Sequence, residues 1–278
     1  MTNILLCGCN GKMGQVITRL ASQRDDLKIA AGYDINNFIA NPYPVFNSLD
    51  SEKIDAPIDV IIDFSNPDAL EAILKFAMSK KLPVVIATTG LSQNHTSMLE
   101  SASSQIPVFF SANMSLGVNL LINLATNASK VLEGAFDIEI VEKHHNQKID
   151  APSGTALAIA DAINSALVSK QEYVYDRHSR RKKRSKNEIG IHAVRGGTIV
   201  GEHQVIFAGN DEIIELKHIA MSKDIFAAGA LRVALFMLGK QPRLYDMSDF
   251  ISSEFKKQHS RNGGVSNARQ ACYQNNGG

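Results

Sequence analysis

The chain is 278 residues long, 44% hydrophobic and 21% charged. That length exceeds the ~100–200 residues usual for one domain and predicts two domains or one large one, while the composition excludes a collagen-like or mainly disordered protein. A formal net charge of +1 gives no global field for gripping nucleic acid or acidic lipid, so any charge-driven binding has to be local.

In chain order, Asn3–Cys7 predicts a buried strand, Met13, Val16, Ile17 and Leu20 fall at helical spacing, and Leu27–Tyr33 predicts a second strand. Ile58–Phe64 predicts another strand, followed by Asn66 as a helix cap, Pro67 at the first helical position and a helix to about Ser79. Pro83–Ala87 and Ile106–Phe110 supply two more strands, separated by a helix through His95–Ser103. This alternation predicts an α/β fold with a Rossmann-like, doubly wound parallel sheet.

After Asn113 the rhythm changes. Leu121, Leu124, Ala125, Ala128 and Leu132 mark one face of a long helix, Phe136–Glu142 alternates like a half-exposed strand, and a second helix is expected from Pro152. Ile189–Val194, Thr198–Phe207 and Glu212–Ile219 read as strands joined by Gly196-Gly197 and Gly209-Asn210-Asp211. Links of that chemistry suit hairpins, so this part is expected to be α+β with a largely antiparallel sheet. Asp224–Leu238 is helical again, and the tail from about Ser253 shows no usable periodicity.

The longest apolar runs, Leu116–Ala125 and Phe226–Leu238, are broken by Asn119, Asn123 and Arg232 and fall short of the ~18–20 apolar residues of a membrane span. The opening MTNILLCGCNG has no basic lead and too short an apolar run for a signal peptide, so the expectation is a cytoplasmic protein. Cys7, Cys9 and Cys272 make an odd count that does not suit a disulfide framework, and Cys-x-Cys without a second pair nearby predicts no metal site. His192, His203 and His218, in neighbouring strand segments, are expected to face solvent or neighbours rather than a metal. Arg177–Lys186 carries seven Lys or Arg in ten residues without interleaved aromatics and reads as a solvated loop.

Two constellations carry chemistry. Between the first strand and first helix lies Gly8-Cys9-Asn10-Gly11-Lys12-Met13-Gly14, a G-x-x-G-x-x-G turn whose glycines let the backbone approach a pyrophosphate at a helix N-terminus. Asp34, twenty residues past Gly14 at the end of the second strand, is placed to accept hydrogen bonds from an adenosine ribose. The second constellation is the run from Glu139 to Ala156, with His144, His145, Lys148, Ser153, Gly154 and Thr155. The donors of Ser153, Gly154 and Thr155 at a helix start, with Lys148 nearby, suit a carboxylate, and an imidazole beside them can give or take a proton near neutrality. No G-x-S-x-G elbow occurs, so Ser153 is no hydrolase nucleophile.

The run from Glu139 to Ala156 resembles the signature of the 4-hydroxy-tetrahydrodipicolinate (dihydrodipicolinate) reductase family of lysine and diaminopimelate synthesis. GCNGKMG, DFSNPDAL, ATTGLS, SANMSLGVN, IGIHAVRGGTIVGEH and the Gly229–Arg232 helix agree in the same order. The resemblance implies NAD(P)H-dependent reduction of a cyclic imine, with hydride passing to C4, loss of water and proton delivery to the neighbouring carbon. It implies His144 and Lys148 as catalytic groups. His145, Lys148, Ser153, Gly154, Thr155 and Arg232 would bind a small dicarboxylate substrate. Gly8, Asn10, Gly11, Lys12, Met13 and Asp34 would hold the dinucleotide, and Thr88, Thr89, Gly90, Ser111, Asn113 and Met114 would line the nicotinamide pocket. It further implies a dinucleotide domain made of residues 1–114 and 225–278, an inserted substrate and tetramerisation domain over 115–224, and a homotetramer.

The chain departs from the family pattern at Ala87, where many members have Gly, and at Met114, where Phe is common. Asp34 is followed by Ile35-Asn36-Asn37 with no basic residue to meet a 2′-phosphate, so NADH is expected to serve at least as well as NADPH. Two other readings fit the same architecture: a different amino-acid or sugar dehydrogenase, and a dinucleotide-sensing regulator that uses Arg177–Lys186 to bind nucleic acid.

Overall fold

The computed structural model describes residues 1–36, 38–50, 52–179 and 181–257. Asn37, Arg180 of the basic stretch, Cys272 and the tail from residue 258 therefore lie outside the described residues. The chain divides into two compact units, one made of Met1–Ala112 with the segment from Ala230 onward, the other of Asn113–Gly229.

The first unit is built on a seven-stranded sheet: β1 (Thr2–Cys7), β2 (Leu27–Tyr33), β3 (Val45–Phe46), β4 (Val60–Asp63), β5 (Val84–Ile86), β6 (Pro107–Phe110) and β12 (Arg243–Tyr245). The order is β12-β6-β5-β4-β1-β2-β3, and every pairing is parallel. β4 is buried along its whole length, as expected for a strand covered on both faces. The strands are linked by α1 (Lys12–Ala21), α2 (Leu70–Lys80) and α3 (Gln93–Ser103). Asn66 caps the start of α2 through its side chain, which accepts from Ala69 N–H in a short 3₁₀ turn (Pro67–Ala69), so the Asn-Pro signal holds with α2 proper beginning at Leu70. Leu5, Ile61, Ile73, Val84, Leu99 and Val108 belong to one core cluster of this unit. The strand order reverses on either side of β1, and in sheets of this kind ligands bind beyond the carboxyl ends of the strands at that point.

The second unit holds a five-stranded sheet of β7 (Asp137–His144), β8 (Glu172–Val174), β9 (Glu188–Arg195), β10 (Gly201–Ala208) and β11 (Ile213–Ala220), with α4 (Leu116–Leu132) and α5 (Gly154–Ala166). Leu121 and Ala125 of α4 and Ile159 and Ile163 of α5 share a core with Ile138, Ile140, Ile191, Val205 and Phe207. The sheet order is β11-β10-β7-β9-β8, with two antiparallel and two parallel pairings, so the sheet is mixed rather than largely antiparallel. The link at Gly209–Asp211 is a hairpin as expected, whereas the link at Gly196-Gly197 is not, because β7 lies between β9 and β10. The linker of residues 196–200 has only to cross two strand spacings, about 10 Å, which so short a segment spans. It is stitched to the end of β7: Gly196 N–H donates to His144 O at 2.9 Å, and Asn146 N–H to Gly197 O at 3.2 Å.

α6 (Asp224–Met237) carries the boundary between the units. A last helix, α7, runs over residues 247–257, past Ser253, where the sequence pattern had given no signal. Sequence reading also missed the short strands β3, β8 and β12. Among the described residues no helix is long and apolar enough to cross a membrane.

Candidate active site

In the first unit, the turn after β1 has the geometry a dinucleotide needs. Gly8 takes a positive φ of 75°, and a Cβ on Gly14 would stand 2.2 Å from Gly8 O, so only glycine lets α1 start this close to the turn. α1 opens on Lys12 after Gly11, with no side chain capping it, so its first N–H groups and their partial positive charge face outward for an anion. Asp34 organises the neighbouring loop: one carboxylate oxygen accepts from Asn10 N–H at 2.9 Å and the other from Asn36 N–H at 2.9 Å. Asn10 also donates from its side chain to Asn36 O and accepts from Asn41 at 2.7 Å. Asn10, Asp34 and Asn36, with Gly8, Gly11, Tyr33, Phe64 and Ser65, line a cavity of about 330 Å³, and among the described residues none in its wall carries a cationic side chain.

Thr88, Thr89 and Gly90 follow β5. Thr89 and Gly90 are exposed, with Gly90 at a φ of 78°, whereas Thr88 is buried and its hydroxyl donates to Asp63 at 2.7 Å. Asp63, at the end of β4, is fully buried and also accepts from Ser65 N–H at 2.9 Å and Ser65 Oγ at 2.5 Å. Burial pushes its carboxyl up, against the downward pull of those hydrogen bonds. Ser111 N–H donates to Ile86 O at 3.2 Å, so the ends of β4, β5 and β6 are laced together. Arg232 lies in this unit, donates to Glu254 of α7 at 2.9 Å and sits 5.8 Å from the Phe250 ring centre.

In the second unit, strand alternation creates the site. Along β7 the buried row runs Ile138, Ile140, Glu142, His144, so two ionisable groups end an apolar row on the core face. The facing row of β10 is Gly201, His203, Val205 and Phe207, and β9 places Arg195 beside His144 in register. His144 Nδ1 lies 2.7 Å from Glu142 Oε2. Arg195 donates to both Glu142 oxygens at 2.7 Å, and Ser153 N–H donates to Glu142 Oε1 at 3.0 Å. Burial works to raise the Glu142 carboxyl, but the hydrogen bonds from Arg195, His144 and Ser153 outweigh it and hold the group below the usual range.

Ser153 caps α5, its Oγ accepting from Ala156 N–H at 3.1 Å and meeting His203 Nε2 at 2.9 Å. With Ser153 N–H on Glu142 and Ala156 N–H on the cap, helix geometry leaves Gly154 and Thr155 N–H to receive a ligand carboxylate. α5 thus begins at Gly154 rather than Pro152, because Ser153 is its cap. Asn113 donates from its side chain to Thr155 Oγ1 at 3.2 Å, joining two motifs that stand far apart in the chain. Met114 is buried. Lys148 donates to Asp150 at 2.8 Å on the loop that also carries the half-buried His145.

Sequence reading named His144, Ser153, Gly154 and Thr155 but missed Glu142, Arg195 and His203, which surround them. Their signal was present in the alternation: Ile138, Ile140, Glu142, His144 on one strand and His203, Val205, Phe207 on another. Of the other strand histidines, His192 lies on Glu139 at 2.7 Å, away from this site, and His218 lies beside Gly117, across from His203 in register.

Comparison with known proteins finds matches to both units. Residues 2–114 match the family model described as "Dihydrodipicolinate reductase, N-terminus" and residues 117–251 the one described as "Dihydrodipicolinate reductase, C-terminus". The chain is 55% identical over 251 residues to the 4-hydroxy-tetrahydrodipicolinate reductase of Caldanaerobacter subterraneus subsp. tengcongensis, spanning 90% of this chain and 98% of the relative. It is 48% identical over 253 residues to the reductase of the same name from Clostridium tetani, spanning 91% and 98%. A solved structure, "Dipicolinate bound Dihydrodipicolinate reductase from Paenisporosarcina sp. TG-14", shares the fold with a TM-score of 0.74 at 24% identity, over 88% of this chain and 97% of that one. A nucleotide-binding N-terminal half of this kind implies NAD(P)H. With both halves matched and relatives this similar along nearly their whole length, the chain belongs to the 4-hydroxy-tetrahydrodipicolinate reductase family of oxidoreductases.

Proposed function

We propose that this chain reduces 4-hydroxy-tetrahydrodipicolinate to tetrahydrodipicolinate, with loss of water, in the diaminopimelate route to lysine. The observation that carries this reading is the buried His144 held by Glu142, whose other oxygen takes Ser153 N–H at the head of α5, so that a proton-exchanging imidazole and a carboxylate-binding helix start share one anchor. Relatives with the same name support it.

In this reading His144 exchanges the proton and Lys148 is the second catalytic group. His145, Lys148, Ser153, Gly154 and Thr155 hold the two substrate carboxylates, whose desolvation requires cationic and N–H partners. In the first unit, Gly8, Asn10, Gly11, Lys12 and Met13 cradle the dinucleotide, Asp34 binds the adenosine ribose, and Thr89, Gly90 and Ser111 line the nicotinamide side, with Thr88 holding that loop through Asp63. The reduced nicotinamide supplies the hydride, and the protein supplies position, charge and the proton. NADH serves at least as well as NADPH, because among the described residues the wall beside Asp34 carries no cation for a 2′-phosphate. The edge strand β11, with Ile213, Ile214 and Ile219 exposed, supports self-association, read here as a homotetramer, and the protein is taken as cytoplasmic.

The test couples the purified protein to dihydrodipicolinate synthase with pyruvate and aspartate semialdehyde and follows the absorbance of NADH and of NADPH. Turnover is expected with both. Silence with both sinks the assignment.

A further inference from the structure

Glu142 is fully buried, two residues from His144 on the same face of β7. Burying a carboxylate is costly unless every oxygen is satisfied, and here four donors reach it: His144 Nδ1 at 2.7 Å, both terminal nitrogens of Arg195 at 2.7 Å, and Ser153 N–H at 3.0 Å. An ionised carboxylate can only accept, so His144 must donate through Nδ1 and is left with Nε2 to exchange a proton. The space on the Nε2 side is kept by a glycine: a Cβ on Gly201 would lie 3.1 Å from Nε2. Arg195 is itself fixed, donating to Asp150 O at 2.6 Å and Val194 O at 2.8 Å.

The geometry points to Glu142, clamped by Arg195, as the positioning residue for proton transfer at His144: it fixes the imidazole in the Nδ1–H form, aims Nε2 past Gly201, and ties the ring to the Ser153 cap of α5. This rests on the reading of His144 as the proton-exchanging group. A purely structural role would be met as well by an apolar side chain continuing the Ile138–Ile140 row. What an apolar residue cannot do is hold a tautomer. The carboxylate also links the imidazole to Ser153, so the proton-exchanging nitrogen and the carboxylate-binding helix start keep one geometry.

The test is made on the full chain. In ¹⁵N-histidine spectra of the wild type, with the His144 signals assigned by their loss in His144→Gln, Nδ1 is expected to be protonated at neutral pH. An unprotonated Nδ1 overturns the inference without any activity measurement. In Glu142→Gln, kcat is expected to fall roughly 100-fold, at the low end of what loss of general acid–base catalysis costs, while KM for NADH stays unchanged and the Nδ1–H form is no longer the single species. Should Glu142→Gln fail to fold, Arg195→Lys is expected to lower kcat and shift the His144 signals while Nδ1 stays protonated, since Lys keeps the charge but not the two-pronged contact that fixes the carboxylate. Wild-type kcat together with an unchanged His144 spectrum in the variant overturns the inference. If His144→Gln itself retains full turnover, the reading of His144 fails, whatever the spectra show, so the two failures are distinct.

Discussion

Ser153 and His203, fifty residues apart in the chain, meet at 2.9 Å, and the His203 ring stands 5.2 Å from that of His144 in an edge-on arrangement. Burial pushes His203 down to about 4, and the adjacent His144 adds to this against the opposing pull of Glu142. His203 is therefore neutral in the folded protein at neutral pH.

That depressed value gives a pH prediction. An unfolded His binds its proton near 6.5, so as the pH falls from there to about 4 the unfolded chain takes up a proton that the folded chain refuses, and stability falls. The whole loss from this one group is roughly 3 kcal/mol. His203→Gln, which keeps a hydrogen-bonding group near Ser153, is expected to flatten the slope of unfolding free energy against pH in that window. Urea unfolding at several pH values measures it, and parallel slopes for variant and wild type refute the account.

Thr88→Val is expected to leave one oxygen of the buried Asp63 short of a donor, destabilising the first unit by about 1–3 kcal/mol. Thermal melts measure the loss. An unchanged melting temperature refutes the view that Asp63 ties β4 to the 88–90 loop.

Cofactor choice is tested at Asp34. The wild type is expected to show a KM for NADPH no lower than that for NADH, and Asp34→Ala to weaken NADH about tenfold, one charged hydrogen bond's worth, with less effect on NADPH. Titration calorimetry and steady-state kinetics measure both. A wild-type KM for NADPH well below that for NADH contradicts the reading.

The basic stretch divides into two kinds of residue. Arg177 donates to Glu139 at 2.6 Å and to the buried Glu188, while Arg184 reaches Glu139 at 3.0 Å, Asp137 at 2.8 Å and Glu188 O at 2.6 Å. Lys182 and Lys183 stay on the surface. Arg184→Ala is expected to destabilise the second unit by about 1–3 kcal/mol, by removing charged hydrogen bonds from the partly buried Glu139 carboxylate and the Glu188 carbonyl. A Lys182→Ala, Lys183→Ala double variant should change stability by less than about 0.5 kcal/mol. Chemical denaturation of both variants checks the contrast. Strong salt-sensitive binding of DNA or RNA by the wild type would instead revive the regulator reading.

Most of the parallel sheet was legible because its central strands are short, mostly apolar runs separated by amphipathic helices, and the boundaries of β2 follow directly from the Leu27–Tyr33 run. The topology of the second sheet was not legible. A Gly-Gly link looks the same whether it joins neighbouring strands or steps across a third, and only the pairing of β7 with both β9 and β10 decides. The site divides in the same way. Residues contiguous in one motif, His144 to Thr155, were readable together, whereas Arg195 and His203 reach the same place only through strand register. Glu142 stood inside the motif, but its part depends on the pleat, which places it on the core face beside His144.

The most direct measurement of the central claim follows the hydride. The enzyme is given freshly generated 4-hydroxy-tetrahydrodipicolinate and NADH dideuterated at C4 of its nicotinamide, and the product is analysed by mass spectrometry and NMR. The account predicts that deuterium from the cofactor appears at C4 of the product ring with the wild type, and that His144→Gln, still binding NADH, makes almost none. Consumption of NADH without label in the product, or no consumption at all, would contradict it.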